Sequence, residues 1–150
     1  MADESSARAS TPINIFISYR RDDAAGQAIS LRTELSQRFG PEHVFMDVAD
    51  LRPGENFVKV IQDHVARCDV LIALIGGRWA SIMDERTKRS VLESTVDYVR
   101  VELESALQRD SRIRVLPVLL DSTQMAGSNA LPCPLRRLSE LAAAELRHTR

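Results

Sequence analysis

The stretch "DVLIALIGG" (69–77) holds six consecutive apolar residues, Val70 to Ile75, closed by two glycines. A strand with one face in water alternates polar and apolar side chains. An unbroken apolar run of this length therefore needs cover on both faces, which predicts a strand in the middle of a parallel sheet. "INIFIS" (13–18), between Pro12 and the polar "YRRDD", and "RIRVLPVLL" (112–120) predict the first and fourth strands in the same way. "HVFMDV" (43–48) reads as the second, and "AELRH" (144–148) as a fifth strand at an edge.

Helical periodicity fills the gaps. Ala24, Ala28, Leu31, Leu35 and Phe39 recur on one face, with Asp22 and Asp23 as cap candidates and Gly40-Pro41 as the stop. After the turn signal Pro53-Gly54, the residues Phe57, Val60, Ile61, His64, Val65 and Cys68 form a second apolar stripe. A third helix covers "DYVRVELESAL" (97–107), and "LRRLSELA" (135–142) predicts a short last one. "DERTKRS" and "STQMAGSNALPCP" read as irregular connections. Strands alternating with crossovers long enough for helices give an α/β fold, a parallel sheet with helices on both faces. Ligands collect beyond the carboxyl ends of such strands, so the candidate segments are 18–21, 47–57 and 76–79.

Composition narrows the function. The 150 residues suit one domain, and 20 Lys+Arg against 21 Asp+Glu leave a formal charge of -1. The pairs Arg20-Arg21 and Arg136-Arg137 are too short for the basic stripe of a nucleic-acid binder. Residues 1–11 are polar and lack the apolar centre of a signal or anchor, which predicts a disordered lead-in and a cytoplasmic protein. No apolar run approaches the roughly 20 residues of a membrane helix.

Several chemistries are excluded by pattern. No G-x-G-x-x-G follows the first strand, and "IGGRWAS" lacks the ending of a phosphate loop. A phosphoacceptor domain needs an aspartate where Gly76 and Gly77 stand. No serine-nucleophile elbow is present. His43, His64 and His148 are scattered without ligand partners, so no metal site is expected; His64 reads as a hydrogen-bonded histidine at the edge of the core. Cys68 and Cys133 are too far apart for a metal pair and too few for a disulfide framework, and Cys68 reads as a reduced core thiol.

One carboxylate stands out. With about 100° per residue, Val96, Val99, Leu103, Ala106 and Leu107 share an arc, and Asp97, Arg100 and Glu104 on one flank read as solvent charges. Glu102 lies at the other edge, one turn beyond Tyr98 and one before Ser105. A carboxylate held beside an aromatic at a half-buried boundary interacts more strongly with a bound group than one in bulk water. The alternative is a partly exposed glutamate paired with an arginine.

"IFISYRRDD", "VFMDVADLRPGENF", "CDVLIALIGGRW" and "DYVRVELESAL" before "VLPVLL" together resemble a bacterial Toll/interleukin receptor (TIR) domain, over about Ile13 to His148. The resemblance implies a flavodoxin-like three-layer fold with a five-stranded parallel sheet. It also implies hydrolysis or cyclisation of NAD+ at the nicotinamide–ribose bond, with NAD+ as substrate rather than resident cofactor, in bacterial anti-phage signalling. Glu102 would be the catalytic acid of the family's aromatic-x-x-x-Glu pattern, with Tyr98 in place of the commoner tryptophan. Arg20 would lie close to the nucleotide and Phe57 would line the pocket, while Trp79 is expected to be a packing residue. The segment Asp50 to Asn56 resembles the loop that governs contacts between neighbouring domains and gates the pocket, so self-association is implied. Some relatives are scaffolds only, and a non-catalytic adaptor acting through such contacts is the alternative. Relatives continue into a further helix after the last strand, so residues 12–150 are expected to be a TIR domain that ends before it, excised from a larger protein.

Overall fold

The computed structural model describes residues 12–46, 54–83, 88–94, 97–108, 112–121, 123–125 and 131–146. Five strands form one sheet: β1 (Ile15–Ser18), β2 (Val44–Phe45), β3 (Val70–Ile75), β4 (Arg114–Leu120) and β5 (Ala144–Leu146). All neighbours are parallel and the order is β2-β1-β3-β4-β5, the flavodoxin-like order, which reverses direction between β1 and β3. The apolar run that predicted a central strand is β3, and Leu71 to Ile75 are all buried. Among the described residues the two edge strands are short, two residues in β2 and three in β5.

Among the described residues three α-helices cover the sheet: α1 (Arg21–Phe39), α2 (Phe57–Ala66) and α3 (Tyr98–Ala106). Side-chain alternation sends Ile15, Ile17, Ile72 and Leu74 to one face, where they meet Ala24 and Ala28 of α1. Phe16, Leu71, Ala73 and Ile75 point to the other, against Ile61 and Val65 of α2 and Val99, Leu103 and Ala106 of α3. Burial on both faces is why the strands show no polar alternation.

The helix ends differ in part from expectation. Asn56 caps α2 through its Oδ1, which accepts from the N–H groups of Val58 and Lys59 at 3.1 and 3.4 Å. Asp22 and Asp23 do not cap α1; they lie in its first turn, which a kink at Ala24 (φ -144°, ψ 23°) sets apart from the rest. The second strand is shorter than "HVFMDV", because Pro41–His43 forms a 3-10 turn before it and Met46 has already left it. The short last helix is present as a 3-10 helix, Cys133–Glu140. Its buried Leu135 and Leu138 are three residues apart, a spacing both helix types satisfy, and Pro132 and Pro134 remove donors at its start.

Candidate active site

At the carboxyl end of β1, where the strand order reverses, lies a cleft of about 420 Å³. Tyr19, Arg20, Arg21 and Asp22 line it from the β1–α1 turn, and Met46 does so from the end of β2. Ile82 and Val91 close another side, and Asp97, Tyr98, Val99 and Glu102 contribute the first turns of α3. A larger cleft of about 640 Å³, lined by Asp63, Cys68, Ser105 and Arg112 among others, lies at the opposite end of the sheet, beside residues that precede β3 and β4. Position rather than size decides between them, since open parallel sheets bind ligands at strand carboxyl ends.

Helix α3 begins where it does because Asp97, in an extended conformation, accepts the N–H of Arg100 at 3.0 Å. The helical repeat then buries Val99, Leu103 and Ala106 in the core and carries Tyr98 and Glu102 to the cleft side by side, four residues apart. Glu102 is only 7% exposed, whereas Tyr98 is 47% exposed. The Tyr98 ring rests on Phe57, with centroids 5.0 Å apart and planes inclined at 32°. Phe57, half-buried at the start of α2, reaches the site through that contact and is not one of the cleft's lining side chains.

Arg20 lines the cleft but is already engaged. It is 8% exposed, and its Nη1 and Nη2 donate to Oδ1 and Oδ2 of Asp97 at 2.9 and 2.7 Å while Nε donates to the Trp79 carbonyl at 3.1 Å. This is a two-pronged guanidinium–carboxylate pair, the strong form of such contacts. The loop after β3 is fixed as well. Asp23 accepts from the N–H of Gly76 at 2.8 Å and of Arg78 at 2.9 Å, and Trp79, packed at 1% exposure, has no partner for its indole N–H among the described residues.

Sequence reasoning misjudged two charges here. Asp97 and Arg100 are not solvent charges. Asp97 pairs with a residue 77 positions away, and Arg100 is buried with Nη1 donating to the Leu92 carbonyl at 3.2 Å. Glu104 is the partly exposed member, 3.5 Å from Arg100. An aspartate immediately before an apolar helical repeat is an N-cap signature, so the sequence did contain a signal for Asp97. Of the segment Asp50 to Asn56, residues 50–53 lie outside the described residues; Gly54 adopts φ 88°, where glycine is favoured. Val96 lies outside them too.

Among the described residues no group of three or more His, Cys, Asp or Glu is arranged to hold a metal ion, and no helix is long and apolar enough to cross a membrane. His43 Nδ1 lies 2.9 Å from Asn14 Oδ1. Cys68 sits just past the end of α2, its Sγ donating to the His64 carbonyl at 3.4 Å. Burial, reinforced by the charge of Asp69, pushes its thiol up from 9.0 to about 12.

A family model described as the TIR domain matches residues 15–149. Among solved structures the fold is similar to the TIR domains of the activated Roq1 resistosome directly recognizing the pathogen effector XopQ. The TM-score is 0.62 at 14% sequence identity, over 89% of this chain and 87% of the other. No curated protein matches the sequence. With nearly its whole described length under one family model, and with the sheet order and helix placement set out above, the chain belongs to the TIR domain family.

Proposed function

We propose that this TIR domain is an NAD+ glycohydrolase or ADP-ribosyl cyclase in bacterial anti-phage signalling, and that Glu102 is its catalytic group. The observation that carries the reading is a glutamate only 7% exposed that nevertheless borders a cleft at the topological switch point, beside an exposed tyrosine ring. Breaking the bond between the ribose C1′ and the nicotinamide nitrogen leaves the electron pair on nicotinamide, which departs neutral, and develops positive charge on the ribose. No strong general acid is needed. A carboxylate shielded from bulk water stabilises that charge far better than one in solvent. Tyr98 supplies a flat surface for a ring of the dinucleotide, and Phe57 supports the Tyr98 ring from behind. Arg20 would reach a substrate oxygen with N–H groups outside its three protein bonds. Water, or the adenine of the same molecule, then attacks C1′, and the proton it loses passes to solvent.

The test is nicotinamide release from NAD+ at high protein concentration, followed chromatographically and compared with Glu102→Gln. A second reading is favoured by one observation, that Arg20 already spends its fork on Asp97. On that reading the domain assembles through its 50–56 loop and turns nothing over. Light scattering run beside the turnover assay separates the two: assembly with no nicotinamide released supports the adaptor.

A further inference from the structure

We propose that Asp97 is a positioning residue for the chemistry of the cleft: its carboxylate, clamped by Arg20, fixes the start of α3 and so sets where Tyr98 and Glu102 stand. The inference rests on reading the cleft as an NAD+-cleaving site.

A chain of bonds supports it. Helix α3 presents both of its cleft residues within its first two turns, so whatever holds its N-terminal end in place fixes where they stand. Asp97 anchors that end twice. One oxygen caps the helix at the Arg100 N–H, and both oxygens accept the two Nη groups of Arg20. Arg20 is anchored in turn at the end of β1 and to the Trp79 carbonyl, in the loop that Asp23 holds through Gly76 and Arg78. The catalytic helix is thereby referenced to β1, β3 and the first turn of α1 at once. Both partners are largely removed from water, with side chains 9% and 13% exposed, so the pair is little weakened by solvent or salt. Helix capping alone would not need Arg20. Serine or asparagine caps as well as aspartate does, and only the carboxylate can take both prongs of the guanidinium.

That difference defines the experiment. Asp97→Asn and Asp97→Ser keep the cap and lose the two-pronged ion pair. Because an unpartnered Arg20 could unfold the single variants, the double variant Arg20→Met with Asp97→Ser, which removes both charges of the pair, is made alongside. For the folded single variants, which keep Arg20, the expected result is a kcat for nicotinamide release at least ten-fold below wild type, with KM for NAD+ changed less than about three-fold. The double variant, which also loses the substrate contact of Arg20, is read by amide exchange in α3, where at least ten-fold faster exchange at Val101 and Glu102 is expected and unchanged exchange overturns the proposal. In nitrogen–proton spectra the Arg20 Nη–H groups, which donate to Asp97, should exchange slowly in the wild type and fast in both single variants. If Asp97→Asn or Asp97→Ser keeps kcat within two-fold of wild type, the proposal is overturned and Asp97 is a cap only. If wild-type protein releases no nicotinamide at any concentration, the functional reading fails separately. Positioning is then judged by amide exchange in α3: at least ten-fold faster exchange at Val101 and Glu102 in Asp97→Asn supports it, and unchanged exchange overturns it.

Discussion

The carboxylate of Asp23 occupies the space that a side chain on Gly76 would need: a Cβ there would sit 2.5 Å from Oδ1 and 2.6 Å from Oδ2. The same carboxylate accepts the Gly76 and Arg78 N–H groups, so it cannot move aside without giving up both bonds. Gly76→Ala should therefore destabilise the domain by about 1–3 kcal/mol, the usual range for overpacking. Gly77 has open space around its missing Cβ, and Gly77→Ala should stay within about 0.5 kcal/mol of wild type. Urea unfolding of the two variants side by side checks this; equal midpoints would remove the role given to Asp23.

Tyr98 presents the exposed aromatic face of the cleft. Base–aromatic stacking is worth about 1–3 kcal/mol, so Tyr98→Ala should raise KM for NAD+ roughly ten-fold or more. Tyr98→Trp preserves a stacking face and should stay within about three-fold of wild type. Phe57→Ala acts only through the 5.0 Å ring contact and should have a smaller effect than Tyr98→Ala. Steady-state kinetics on the three variants provide the order, and a Phe57→Ala effect exceeding that of Tyr98→Ala would reverse these roles.

Leu103 lies on the core face of α3 and has no exposed surface. Leu103→Ala should cost about 2–5 kcal/mol through lost burial and the cavity left behind. Ile29 is 57% exposed on α1, and Ile29→Ala should change stability by less than about 0.5 kcal/mol. Chemical unfolding distinguishes them.

The two cysteines should differ in reactivity and in their effect on alkaline stability. Cys133 is exposed and Cys68 is buried, so an aromatic disulfide reagent at pH 8 should titrate one thiol rapidly in the native state and the second only on unfolding. Below pH 9 the Cys68 thiol is protonated in both folded and unfolded chains and contributes no pH dependence. Between 9.0 and about 12 the unfolded chain releases that proton while the folded one keeps it. The unfolded state then binds fewer protons, and stability falls with rising pH by about 1.4 kcal/mol per unit from this group. Cys68→Ala should lack that part of the alkaline slope; equal slopes in the two proteins would contradict the burial of the thiol.

Most of the sheet was legible because both faces of β1, β3 and β4 are covered, and that leaves an apolar run no other chain environment explains. The position of Glu102 was legible for a local reason, since Tyr98, Glu102 and the core residues of α3 lie on a single helix whose periodicity needs no tertiary information. Asp97 and Arg100 were misjudged because their burial comes from outside the helix, from Arg20 at the end of β1 and from the Leu92 carbonyl. Asp23 was misread for the same reason: before an apolar repeat it looks like a cap, and only the fold brings Gly76 to it. The short last helix was legible from Leu135 and Leu138, but their spacing satisfies both helix types, and the choice of 3-10 lies in the backbone.

If the shielded carboxylate of Glu102 drives the cleavage, the rate of nicotinamide release from NAD+ must depend on it, and the decisive comparison is wild type against Glu102→Gln at matched, high concentration. The substitution keeps shape and removes only charge. The account predicts a fall of about 100-fold or more in protein that remains folded. A Glu102→Gln protein that is folded and releases nicotinamide within a few-fold of wild type would contradict it.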